Sequence, residues 1–354
     1  MVARAVGLLL LLTLVPLRSA QPAAISAAEL LEAYATRRFD VVDAMLSRVE
    51  HVGSVASDLQ KTAEPWVRAA RADPAAERAR RFVASAVAVE LAGRYLDARD
   101  AQQILIPWGA ALLEKQAPDE RERAWFLAAN ALVQRTHDPF FLPQFGRGVK
   151  GWNFAGHAIA RFPGEDRFHL ARAVDLELAS WRTVQVQRLL QQHPSGLGTS
   201  WRTTLRELAV AFEKLLPRRS IAADVRLRLG NTYLRLERFD DALKTLAQVE
   251  SGTTDPFLIH LSRYLTGRAS RATGDLPGAA RAFRSALDAV PHGQSASLAL
   301  ASLTLAGDDP ADAYRLVQGA VARAADVNDP WKQYQEGEFR LWQSYIFALR
   351  QEVR

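Results

Sequence analysis

Between residues 223 and 325 the apolar and small positions of the chain fall into a repeating ladder. Gly230, Gly267 and Ala301 are each followed twelve residues later by Ala242, Ala279 and Ala313. Four further on stand Leu246, Phe283 and Val317, and three after those Val249, Ala286 and Ala320. The copies are offset by 37 and then 34 residues. Gly274-Asp275 and Asp308-Asp309 place turn chemistry midway through the second and third copies, and Pro291 closes the second. The pattern predicts two helices of three to four turns per copy, too short to bury their own apolar faces. The small residue of the first helix lets the second approach closely. The large apolar residue one turn into the second fills the wedge, and stacking buries a continuous core one neighbour at a time.

Helical periodicity continues outside this ladder. Residues 28–39 and 41–49 read as a helix pair in which Phe39 and Leu46 stand like Phe239 and Leu246. Residues 82–91 and 97–106 form another pair, and 120–134 and 167–190 read as long helices. Residues 330–353 read as one amphipathic helix with Trp331, Tyr334, Phe339, Trp342, Ile346 and Leu349 along one side. That is the expected cap for the exposed face of a last repeat. No run alternates with period two, so the fold class is all-α. Residues 193–200 are rich in Pro, Gly and Ser and mark the boundary between the halves. Residues 136–151 also break the helical pattern, either as a functional loop or as a packed excursion.

The segment Leu229-Gly230-Asn231-Thr232-Tyr233, followed by Phe239-Asp240-Asp241-Ala242-Leu243, resembles the tetratricopeptide repeat. So does the next copy, with Gly267, Gly274-Asp275, Ala279, Phe283, Ala286 and Pro291. The first copy departs from the family pattern in having Glu237-Arg238 where Gly-Asp is usual, and it carries extra residues around 251–254. The third has Val317 in place of an aromatic and lacks the closing Pro. The resemblance covers about a third of the chain. It implies a right-handed helical-hairpin solenoid, a TPR-like superhelix, whose first helices line a concave groove. Groove positions would then be Asn231, Arg235, Tyr264, Arg268 and Arg271, with Asn231 where related peptide-binding domains place a backbone-gripping Asn. Guanidinium groups and an amide suit an extended, acidic peptide or partner protein. The chain divides into three regions: 1–24, 25–192 as divergent helical repeats, and 201–354 as TPR-like repeats with their capping helix.

Composition adds compartment and narrows chemistry. The chain has 354 residues, 49% of them hydrophobic, enough for a sizeable core. Its formal charge is +6, but only six of 45 basic residues are lysines, which is what a GC-rich bacterial genome tends to write. The cations are interspersed with 39 carboxylates and form no block, so no nucleic-acid arm is indicated. Cysteine is absent, which removes disulfides, thiolate metal sites and thiol nucleophiles. After Arg4, the apolar run 7–17 is too short to span a bilayer core of ~30 Å and reads as a signal peptide, removed within residues 20–24. The mature chain is then expected in the periplasm or medium, without a membrane span.

Candidate catalytic motifs are weak. Gly146-Arg147-Gly148-Val149-Lys150-Gly151 has the form G-x-G-x-x-G but follows no strand. The seven histidines lack metal-ligand spacing. Glu165, Asp166, Asp175 and Glu177 are spaced as on a solvated helix face. The sequence therefore predicts a non-catalytic interaction scaffold without cofactor or metal. The alternative is an exported hydrolase or lytic enzyme with its site in the N-terminal half, which would require convergent acids or histidines in a deep pocket there.

Overall fold

A computed structural model describes residues 25–94, 101, 104–109, 117–135, 154–192, 200–307, 309–323 and 329–353. Among these residues all regular structure is helical. The first 24 residues, the segment 136–151 with its glycine motif, and nearly all of 193–200 lie outside the described residues.

The three copies of the ladder are three helical hairpins: α9 (Ala222–Arg235) with α10 (Phe239–Leu246), α11 (Pro256–Ala272) with α12 (Leu276–Ala289), and α13 (Gln294–Ala306) with α14 (Pro310–Ala322). Each closes as the spacing requires. A Cβ on Gly230 would stand 2.7 Å from the Leu246 side chain, and one on Gly267 would stand 2.5 Å from the Phe283 ring. The glycine is thus where the wedge residue presses in, and Ala242, Ala279 and Ala313 are buried on the opposite helix. The starts of α11, α12 and α14 are set by Asp side chains that accept from the first-turn backbone, as Asp255 does from Phe257 N–H at 2.9 Å. Asp309 and Asp329 do the same just ahead of Pro310 and Pro330.

One turn geometry joins the hairpins. Gly274 has φ +86°, and the following Asp275 N–H donates to the Ser270 carbonyl at 2.9 Å. Glu237 takes the same place with φ 65°, with Arg238 N–H on the Tyr233 carbonyl at 2.9 Å. Arg37 repeats it at φ 59°, with Arg38 N–H on the Ala33 carbonyl at 2.9 Å, between α1 (Ala27–Ala35) and α2 (Phe39–Leu46). The first helix pair is therefore built on the same backbone plan as the array some 200 residues later. This is a TPR-like helical-repeat solenoid.

The remaining helices are α3 (Val52–Arg68), α4 (Pro74–Ala92), α5 (Glu120–Arg135), α6 (Phe154–Arg161), α7 (Asp166–Gln192) and α8 (Trp201–Glu213). Helices α1 to α6 share one apolar core, which includes Leu30, Leu59, Phe82, Trp125 and Phe154 and takes in Phe168 from the start of α7. Helix α7 packs mainly against α8 and, after it, α6 and α5, and its Leu170, Val174 and Leu178 share a second core with Leu205, Phe212 and Val225.

The C-terminal segment departs from the expected single helix and from the expected cap. It forms α15 (Pro330–Gln335), a 3-10 turn (Gly337–Leu341) and α16 (Trp342–Gln351). Gly337 breaks the helix with φ +66°, at a point where a Cβ would stand 2.6 Å from the Gln134 amide and 3.1 Å from Val174. The aromatic stripe is thereby split. Trp331 and Tyr334 pack on the inner side of the hairpins, while Ile346, Leu349 and Val353 enter the core of α1 to α6. The segment runs back across the molecule and does not cover the last repeat. Leu298, Leu305, Tyr314, Val317 and Val321 of that repeat are exposed.

Candidate binding site

The first helices of the hairpins do present Asn231, Arg235, Tyr264 and Arg268 to a common side, and the chain's own segments occupy it. The Asn231 amide, fully buried, donates to the Tyr334 hydroxyl at 3.0 Å and to Glu177 at 3.4 Å. Arg235 lies 4.5 Å over the Trp181 ring and donates to the Ser180 hydroxyl at 2.9 Å. The Tyr264 ring is 5.6 Å from Trp331, and Arg268 stands 5.2 Å over that indole. Arg271 sits one turn on, at the exposed end of α11. Four of the five groove positions are thus brought together, and the acid and aromatics they hold come from α7 and α15.

Below them lies a seam of buried charge. Glu177 and Arg228 pair at 2.6 Å with side chains 1% exposed, and the Tyr334 hydroxyl donates to the same carboxylate. Asp224 pairs with Arg340 at 3.0 Å and with Arg167 at 3.2 Å, and Arg167 reaches Glu338 at 3.0 Å. Burial alone would raise the Asp224 carboxyl, but the guanidiniums of Arg340, Arg228 and Arg167 hold it below its ordinary value. Burial works to lower the Arg228 guanidinium, yet Glu177 holds it above its ordinary value. Further out, Arg350 of α16 pairs with Glu90 and Asp43, both at 2.5 Å. Glu177 is therefore not on a solvated face. Asp175 is also shielded; it accepts from the Gln134 amide at 3.0 Å, and burial pushes its carboxyl up to about 7.

Above the seam the array keeps an open rim of arginines. Arg188 of α7 stands 4.1 Å over Trp201 and donates to the Arg235 carbonyl at 3.4 Å. Burial lowers the Arg235 guanidinium, Glu177 pulls it back up, and the like charges of Arg188 and Arg268 add to the lowering. Arg235 thus feels both neighbouring cations, and each of the three is laid on an indole: Arg188 on Trp201, Arg235 on Trp181 and Arg268 on Trp331. Among the described residues none of the three is matched by a carboxylate in an ion pair at its rim. Flat guanidiniums backed by aromatic faces are pre-organised to bind carboxylates through paired N–H donors. Sequence reasoning missed Arg188, Trp181 and Trp331. The stripe Glu177, Trp181, Val184 and Arg188 is visible at helical spacing, but nothing local to α7 says what it faces.

The N-terminal half offers a cavity of about 330 Å³ between α3, α4 and residues 107–108. Its acids do not converge: Glu64 and Glu77 each pair with an arginine one turn on, Arg68 and Arg81. Among the described residues no three of His, Asp and Glu are grouped so as to hold a metal ion. No helix among them is long and apolar enough to cross a membrane.

No family model matches the chain, and no curated protein matches it. Among solved structures, the apo form of RapI is 11% identical over 93% of this chain and 97% of that one, with a TM-score of 0.45. MamA 41-end from Desulfovibrio magneticus RS-1 is 18% identical over 56% of this chain and 98% of that one, with a TM-score of 0.32, as is a MamA RS-1 double mutant. Likeness at this level places no site and no partner on this chain.

Proposed function

We propose that this chain is an exported, non-catalytic scaffold that holds an acidic, extended segment of a partner protein along the rim of its hairpin array. The observation that carries the reading is the cluster of Arg188, Arg235 and Arg268 on three indoles, with the central Arg235 lowered by the like charges of the other two. Holding like charges together costs free energy that an anionic ligand recovers. The depth of the concave face is already filled by Tyr334 and Glu177, so the ligand runs over the rim, with exposed Arg271 extending it. Buried acids matched to guanidiniums, as at Glu177 and Asp224, serve cohesion and supply no general acid–base pair. Export rests on residues 1–24 of the sequence. N-terminal mass spectrometry of protein from the native host decides it, and intact Met1 on cytoplasmic protein would overturn it.

Calorimetry with a decaglutamate peptide tests the rim. Arg188→Gln with Arg268→Gln should weaken binding at least about tenfold, since charge-assisted hydrogen bonds contribute roughly 1.5–3 kcal/mol each. Affinity should fall with added salt, because exposed charges are screened over ~8–10 Å. Arg281→Gln with Arg284→Gln removes equal charge from the outward side of α12 and should change little. Equal losses in the two double variants would show general attraction to a basic protein and no site.

A further inference from the structure

The array ends on an open face. In the first hairpin Leu227 and Leu246 are buried, and in the second their counterparts Tyr264 and Phe283 are buried too. The next counterparts, 34 residues on, are Leu298 and Val317, which are 49% and 37% exposed. Leu305, Tyr314 and Val321 enlarge the patch, at 60%, 63% and 67% exposed. Inside the chain such a face is always covered by the following hairpin, as Ala296 and Leu300 of α13 join the core of Tyr264 and Phe283. The terminal segment that would serve as a cap is committed elsewhere, tied to Glu90, Glu177 and Asp224. The uncovered face is thus the direct continuation of an interface the molecule already uses twice.

Its pattern is self-complementary. Tyr314, Val317 and Val321 follow the i, i+3, i+7 spacing of a single stripe along α14. The same helix starts on Asp309 and Asp312, the latter sharing its carboxylate with Arg315 at 3.1 Å, and has exposed Arg323 just past its end. Two copies of α14 laid antiparallel about a two-fold axis set stripe on stripe. They also bring each acidic start beside the other's Arg323. We propose that the outer face of α13–α14 is closed by the same face of a second copy of this chain, forming a symmetric dimer. One patch meeting itself is what two-fold closure requires, and it ends the solenoid without an open-ended filament. The arginine rim lies on α7, α9 and α11, so each dimer carries two rims.

Sedimentation of the protein purified from its host, from 1 to about 200 µM, tests this. A reversible dimer should appear within this concentration range. Leu305→Glu with Val321→Glu should weaken the dimer at least tenfold with helicity unchanged. Val210→Glu, on an exposed apolar residue of α8, should leave it intact. Arg323→Glu should weaken it several-fold, and adding Asp312→Lys should restore it by exchanging the signs across the axis. A monomer throughout the range overturns the proposal. So does a dimer indifferent to residues 305 and 321, or a charge exchange that fails to restore association.

Discussion

The molecule closes on itself through two kinds of seam, and they obey different rules. Within each hairpin, helix meets helix through small residues and large apolar ones: Gly230 against Leu246, Gly267 against Phe283. The C-terminal segment meets α7, α9 and the N-terminal helices through buried charge: Glu177 with Arg228, Asp224 with Arg340, Glu90 with Arg350. Apolar contact is non-directional and scales with area, so the third hairpin can carry Val317 where the second has Phe283 and still form. An ion pair out of water depends on one specific partner, because desolvation must be matched by the opposite charge and its hydrogen bonds. The first kind of seam tolerates drift and the second does not.

The largest contrast lies in breaking the polar seam. Glu177→Ala leaves Arg228 buried without its counter-charge and should cost about 3–5 kcal/mol in urea unfolding. Glu177→Leu combined with Arg228→Leu removes both charges and should cost less than the single change. If the double variant is the less stable of the two, the pair contributes net stability and the distinction between the seams narrows.

The apolar seam is tested by overfilling it. Ala279→Leu, at the closest approach of α11 and α12, should cost roughly 1–3 kcal/mol. Val317→Leu adds one methylene at the open face and should shift a thermal melt by no more than about 0.5 kcal/mol at low protein concentration. Equal losses would mean that the third hairpin is as closed as the second.

The smallest effect separates the seams by pH. The Asp175 carboxyl, beside the polar seam, is raised to about 7 by burial, above its unfolded value of ~4. A raised carboxyl stabilises fully below the unfolded value, and the contribution is lost as pH rises through the folded one. Between pH 5 and 8 the wild type should lose about 1–2 kcal/mol that Asp175→Asn does not lose, after allowance for partial solvent screening. Burial lowers the pKa of His260 in both proteins and gives the opposite slope, so the difference between them isolates Asp175. Parallel pH profiles would remove Asp175 from the account.

Legibility in the sequence obeys the same division. The hairpins, their 37- and 34-residue offsets and the close-packed glycines are legible because each rests on residues within one or two helices of each other. The matching turn at Arg37 and Glu237 is legible only in part. Arginine and glutamate give no sign of the left-handed backbone that Gly274 announces. Glu177 reads as a surface acid because it stands at helical spacing with Glu165, Asp166 and Asp175, and its partner Arg228 lies 51 residues away. The cap was misplaced because an aromatic stripe shows that a segment will be buried without showing against what. Gly337, which divides that stripe, has a role only where α5 and α7 crowd it.

The sequence alone determined an all-helical chain of stacked hairpins, since periodicity and turn chemistry act over a few residues and survive in any environment. Its resemblance to the tetratricopeptide repeat also implied that Asn231, Arg235, Tyr264, Arg268 and Arg271 line one groove. Only the tertiary structure decided what they face. The return of residues 330–353 puts Tyr334 on Asn231 and Trp331 under Arg268, with Arg188 arriving from α7. The same return leaves α13–α14 uncovered. Such pairings span 47 to 103 residues, and no local preference specifies them. They are set by which buried charges and apolar faces can all be matched at once in a single packing.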